Sequence, residues 1–171
     1  MEKSNDILLR EGKLLPVMEQ FYTLQGEGFN TGQAAFFIRV GGCDVGCRWC
    51  DVKESWNALN FPPVPTDHVI ANAAACPAGA IVVTGGEPLL YNMDYLCRGL
   101  HDRGIRIFLE TSGSQPLSGE WDWICVSPKK DAPPLKEMLS KASELKVIVH
   151  DDTDFGWGEE MAGHVSGNCH L

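Results

Sequence analysis

The sequence predicts an α/β fold, a partial and open βα barrel with a mostly parallel sheet, and three observations support this. From Ala80 onward, apolar runs that read as strands alternate with helical patterns, the signature of successive βα units. The strand-like runs end in polar or glycine-rich residues: GGCD after Val40, TGGE after Val83, ETSG after Leu109 and SPK after Val126. In parallel α/β sheets, functional groups gather at such carboxyl ends. Finally, the chain has 171 residues, whereas a closed eight-stranded barrel takes roughly 250. One domain with an open barrel is therefore expected.

Taken in order, the elements begin after a polar N-terminal stretch, MEKSNDILLREGKLLP, which is expected to be mobile. MEQFYTL, with its aromatic and β-branched content, reads as a strand ending at the glycine turn QGEG, Gln25 to Gly28. Gln33 to Val40 forms a second strand that delivers the chain into a cysteine loop. Residues 53–65, KESWNALNFPPVP, carry three prolines and no sustained period, so a loop is expected. Thr66 and Asp67 should cap a helix over DHVIANAAA, stopped by Pro77 and Gly79. Strands then follow at 80–84, 105–110, 121–127 and 144–151, with helices at 93–103 and 134–142.

Composition narrows the function. A net charge of −9 argues against nucleic acid or an anionic membrane surface, both of which call for clustered Lys and Arg, and favours a small-molecule substrate. No apolar stretch approaches the roughly 20 residues that span a bilayer. The N-terminal stretch mixes charges of both signs where a signal peptide would be apolar, so a cytoplasmic location is expected. Seven cysteines in that setting read as reduced thiols rather than a disulfide framework. Cys76, Cys97, Cys125 and Cys169 are scattered singly and read as small hydrophobes.

The other three cysteines carry the chemistry. Cys43, Cys47 and Cys50 stand in GGCDVGCRWCD with the spacing CxxxCxxC. A 4Fe-4S cluster is usually closed by four protein thiolates, so three leave one iron open, and an open position marks catalysis rather than scaffolding. A structural zinc site is the competing reading, but it needs a fourth ligand. The nearest histidine is His68, and no second CxxC follows.

With Trp49 just before the third cysteine, this motif resembles the radical S-adenosylmethionine (radical SAM) family. The resemblance implies that S-adenosylmethionine chelates the open iron, and that one electron splits it into methionine and a 5'-deoxyadenosyl radical. It also implies the family's partial barrel. TGGEP resembles the family's GGE motif and places Gly86 and Glu87 at the cofactor, with Trp49 and Asp51 against it. Glu110 and Ser112 of ETSG suit its ribose diol. Ser127 and Lys129 of SPK suit a carboxylate or an adenosine hydroxyl.

QGEG, FFIRVGGC, WCDVKESW and SPK, in this order from about Glu19 to Val149, narrow the resemblance to the ring-contracting members of the family that serve 7-deazapurine and queuosine biosynthesis. These act on 6-carboxy-5,6,7,8-tetrahydropterin and release ammonia. The expected substrate-binding residues are then Gln25, Gly26 and Glu27 at the pyrimidinone edge, Arg39 on the carboxylate, and Thr84. The apolar flanks of Arg39 argue against a plain surface ion pair.

The resemblance further implies a reductant such as flavodoxin, a homodimer, and a magnesium ion held in part by a hydroxyl residue after the CD of the motif. That position is Val52, which cannot ligate; Ser55 and Asp51 are the nearby oxygen donors, and no magnesium ligand is assigned. A further strand and helix are expected after GNCHL to cover the substrate side. A glycyl-radical activase and a noncatalytic iron–sulfur electron carrier are the alternatives. QGEG and FIRVGGC speak against the first, and the motifs at successive strand ends against the second.

Overall fold

Runs such as AAFFIRV and AIVVTG are apolar at successive positions, so both of their faces need cover, which is the situation of a strand inside a parallel sheet. A computed structural model of the chain describes residues 2–171 and bears this out. Its elements are α1 (Glu2–Arg10), β1 (Leu14–Leu15), β2 (Val17–Leu24), β3 (Ala34–Val40), β4 (Val64–Pro65), α2 (Thr66–Ala74) and β5 (Ala80–Gly85). There follow α3 (Asp94–His101), β6 (Ile107–Thr111), β7 (Trp123–Val126), α4 (Lys136–Lys141), β8 (Glu144–Leu145) and α5 (Thr153–Ala162). The main sheet has six strands in the order β2-β3-β5-β6-β7-β8. β2 runs antiparallel to β3, and every later pairing is parallel. The two edge strands, β2 and β8, do not meet, so the barrel is open.

The outer face of the sheet buries Ile38, Val40, Ile81, Val83 and Ile107 against Val69 and Ile70 of α2 and Leu96 and Leu100 of α3. Farther along, Leu109, Ile124 and Val126 meet Met138 and Leu139 of α4 and Met161 of α5. Because side chains alternate across a strand, the neighbouring residues turn to the inner face. Ala35, Phe37, Ala80, Val82 and Phe108 form a small cluster there with Phe21 and Trp123 beside it. The next inward positions along the same strands are Arg39, Thr84 and Glu110. Register thus places the apolar base of the half-barrel and its polar mouth in a single step.

Four expectations need correction. The N-terminal stretch is not featureless, because Glu2–Arg10 forms α1 and the following β1 pairs with β4, giving the proline-rich segment a partner among short 3-10 turns. Thr66 does not cap α2: its hydroxyl donates to the Gly12 carbonyl at 2.7 Å, so its hydrogen bond joins the two segments. The strand expected at 144–151 is only β8, because β7 ends at Val126 and later residues find no ladder. Instead, the chain forms α5, whose glycines Gly156 and Gly158 weaken its signal in the sequence. It then returns to lay His170 beside Glu144 as a single parallel bridge. Among the described residues no helix is long and apolar enough to cross a membrane.

Leu109, fully buried in the middle of β6, tests this packing. Leu109→Ala should lower the unfolding free energy by about 2–5 kcal/mol. Leu59→Ala, at an exposed turn, should stay within about 0.5 kcal/mol. Urea denaturation followed by circular dichroism measures both.

Candidate active site

Two glycines bring the cysteine loop onto the end of β5. Gly85 holds φ at +148°, and a Cβ there would lie 2.2 Å from the Val40 carbonyl oxygen. At Gly86 a Cβ would lie 2.1 Å from the Gly42 oxygen and 2.8 Å from Cys43 Cβ, so no side chain fits where the two segments touch. Backbone bonds seal the contact, with Gly86 N donating to Val40 O at 3.0 Å and Glu87 N to Gly42 O at 2.9 Å. On its other side the loop is held by Gly42 N to Ser55 O at 2.6 Å and Cys43 N to Trp56 O at 3.2 Å.

The result is a cavity of about 580 Å³ at the carboxyl ends of the strands, lined by Cys43, Cys47 and Cys50 of the one short loop. All three thiols are free and half-buried. Burial pushes the Cys43 and Cys47 thiols above their ordinary value, with the Lys129 ammonium pulling Cys47 partly back. Among the described residues no three His, Cys, Asp or Glu side chains converge on one metal ion. A cube asks for something different, since each thiolate binds its own iron. Three free thiols on one short loop, all lining the same cavity, fit such a cluster.

Nearly every residue singled out in the sequence lines this cavity: Trp49 and Asp51 next to the cysteines, Thr84 and Gly86 at the end of β5, Glu110 and Ser112 at the end of β6, and Ser127 and Lys129 after β7. Gln25, Gly26, Glu27 and Arg39 line it as well. Lys129 is lodged between the Ser127 hydroxyl at 2.8 Å and the Trp49 ring, whose centroid lies 5.5 Å from Nζ. Burial lowers its pKa, opposed by the Cys47 thiol.

Glu87 is the exception. It is 0 % exposed and is absent from the cavity wall. Its Oε1 accepts from Thr111 Oγ1 at 2.6 Å and from Leu89 N at 3.1 Å, while Oε2 accepts from Ser112 N at 2.9 Å and Ser112 Oγ at 2.5 Å. A buried carboxylate satisfied in this way ties the end of β5 to the end of β6, so Glu87 acts by holding Ser112 in place.

Arg39 also differs from expectation. The register sets it opposite Glu19, and its Nε donates to Glu19 Oε1 at 2.6 Å, so the ion pair that the apolar flanks argued against is present. The guanidinium still faces the cavity, 6.0 Å from the Phe21 ring.

The sequence motifs point Gln25 to substrate and Glu110 to cofactor, yet the two are bonded to each other, Gln25 Nε2 donating to Glu110 Oε1 at 3.1 Å. Lys146, which sequence reasoning missed, donates to Glu110 Oε2 at 2.7 Å and to Glu27 Oε2 at 2.9 Å. The available signal was a lone cation inside the apolar run LKVIV. Thr111 and Ile148 also line the cavity without having been anticipated. Ser55, almost fully buried, donates its hydroxyl to the Val52 carbonyl at 2.7 Å.

Gly86→Ala should force the loop back from the strand end by about 1 Å, a misplacement that elsewhere costs about a hundredfold in function. The variant should keep its far-UV circular dichroism and lose most of its iron on anaerobic reconstitution, measured as iron per chain.

Comparison with known proteins agrees with this geometry. The radical SAM superfamily pattern matches residues 37–144. A 7-carboxy-7-deazaguanine synthase from Flavobacterium psychrophilum is 51% identical over 171 residues, covering 100% of this chain and 81% of that protein. The synthase of the same name from Synechocystis sp. is 45% identical over 151 residues, covering 88% and 73%. The crystal structure of QueE from Escherichia coli superposes with a TM-score of 0.81 at 28% identity, covering 95% of this chain and 82% of that one. The chain therefore belongs to the radical SAM superfamily and, within it, to the family of 7-carboxy-7-deazaguanine synthases.

Proposed function

We propose that this enzyme contracts the ring of 6-carboxy-5,6,7,8-tetrahydropterin to 7-carboxy-7-deazaguanine with release of ammonia. The observation that carries the reading is the convergence, in one cavity, of the three cysteines and the polar group Gln25, Glu27, Arg39, Glu110 and Lys146. When bound, a 4Fe-4S cluster with S-adenosylmethionine supplies the 5'-deoxyadenosyl radical.

The chain's own residues hold and orient the ligands. Cys43, Cys47 and Cys50 would hold the cluster. Gly86, Ser112, Ser127 and Lys129 would surround the cofactor, Lys129 offering an ammonium to its carboxylate, with Trp49 against it and Thr84 toward the substrate. Arg39 retains its terminal N–H groups for the substrate carboxylate after Nε is taken by Glu19. Phe21 and Phe37, stacked with centroids 5.2 Å apart, give the pterin ring an apolar base that excludes water.

Magnesium has no ligand at Val52, and Asp51 and Ser55 are the oxygen donors beside it on the cavity wall. A reductant of the flavodoxin kind delivers the electron. The enzyme works in the cytoplasm as a homodimer; the β2 edge, where Tyr22 and Leu24 are exposed, offers a surface for a second copy.

The deciding experiment is anaerobic incubation of reconstituted, reduced protein with S-adenosylmethionine and the carboxytetrahydropterin, followed by mass spectrometry. Formation of the deazaguanine carboxylate supports the reading, and its absence from a cluster-loaded protein refutes it. Cys50→Ala should abolish product and cluster absorbance together. Arg39→Ala loses a charged hydrogen-bond partner, a loss of about 1.5–3 kcal/mol, so the substrate KM should rise at least about tenfold; initial-rate kinetics measure this. With no hydroxyl at residue 52, omitting magnesium should change turnover less than about threefold, as a parallel assay with added magnesium would show.

A further inference from the structure

We propose that Lys146 is the specificity-determining residue of this cavity: a positioning residue that clamps Glu27 and Glu110 together as an acceptor face for a ring edge bearing two adjacent N–H donors. The inference rests on the synthase reading and adds the group that selects the ring. It starts from a closed circuit of hydrogen bonds. Lys146 Nζ donates to Glu110 Oε2 and Glu27 Oε2, Gln25 Nε2 donates to Glu110 Oε1, and Glu27 N donates to Gln25 Oε1 at 3.3 Å. The two carboxylates would repel each other without the ammonium between them.

The two halves of the clamp differ in strength. Lys146 and Glu110 are both largely buried, with side chains 19% and 18% exposed, whereas the Glu27 side chain is 67% exposed. The Glu110 contact is shielded from solvent and firm, while the Glu27 contact is screened by water and can yield to a ligand. Burial alone would lower the Lys146 pKa, but the Glu110 carboxylate more than reverses this and holds it above the ordinary value, so the residue stays an ammonium. Glu144, two residues earlier in β8, accepts from Phe29 N at 3.1 Å and Trp123 Nε1 at 3.0 Å. A Cβ at Gly28 would meet its Oε1 at 2.0 Å. Glu144 and Lys146 thus grip the 25–32 loop at two points and fix where Glu27 stands.

An ammonium has three N–H donors, and the carboxylates take two. The two bridged carboxylates are thereby left as acceptors for a ligand, a match for the adjacent amino group and ring N–H of a 2-amino-4-oxopyrimidine edge. A 2,4-dioxo edge would put a carbonyl oxygen against a carboxylate, leaving a polar pair unmatched.

The test is isothermal titration, under anaerobic conditions, of cluster-loaded protein with 6-carboxytetrahydropterin and with its 2,4-dioxo counterpart. The unmutated protein should prefer the amino ligand by at least about tenfold. Lys146→Met should bring the two affinities within about threefold of each other, and Lys146→Arg, which keeps the charge and can bridge both carboxylates, should restore the preference. Cluster absorbance and circular dichroism show whether each variant is folded. Should Lys146→Met fail to fold, Glu27→Gln, at the exposed end of the clamp, serves in its place and should also narrow the preference. Equal affinities in the unmutated protein, or full preference in a folded Lys146→Met or Glu27→Gln, overturn the clamp. An unmutated protein that binds neither ligand overturns the synthase reading itself, and the clamp with it.

Discussion

The whole site depends on one close approach, that of the cysteine loop to the end of β5, where residues 85 and 86 have no side chains. With Cβ positions 2.1–2.2 Å from the Gly42 and Val40 oxygens, any larger residue would separate the two segments. The approach then passes along the sheet. Glu87 N holds the Gly42 carbonyl, and the Glu87 carboxylate holds Thr111 and Ser112 at the end of β6. Ser127 N in turn donates to Thr111 O at 2.7 Å. The tips of three neighbouring strands and the thiol loop are therefore one connected piece, and a buried carboxylate with all its neighbours donating is what makes it rigid.

Charge is distributed to match. The chain is acidic overall, with a net charge of −9, yet Arg39, Lys129 and Lys146 all line the cavity. Such an arrangement draws anionic ligands into a site while leaving the rest of the surface unattractive to nucleic acid or anionic lipid. The cations have different partners: Lys129 sits by Trp49 and Cys47, Arg39 pairs with Glu19, and Lys146 with Glu110. Two carboxylate-bearing small molecules can each find a cation without competing for the same one.

The chain shows clearly which information was local and which was not. CxxxCxxC, TGGE, ETSG and SPK could each be read because a strand followed by a functional turn is a local pattern, and every strand that packs on both faces announced itself by an apolar run. Helix α5 and the shortness of β8 could not be read in this way. The first has weak intrinsic propensity, with two glycines, and is held by packing of Met161 in the outer core. The second depends on β7 ending at Val126, a fact about another strand.

The sequence by itself determined the fold class, the thiol triplet and the polar residues that would face a ligand, because strand periodicity and motif spacing are written along the chain. Only the tertiary structure decided how those residues are paired. It turned Glu87 away from the cavity to brace Ser112, set Arg39 opposite Glu19 by strand register, and joined Gln25, Glu27 and Glu110 through Lys146. Partners that lie 36 to 119 residues apart meet because the sheet brings their strand ends together, and no local pattern encodes which donor will reach which acceptor.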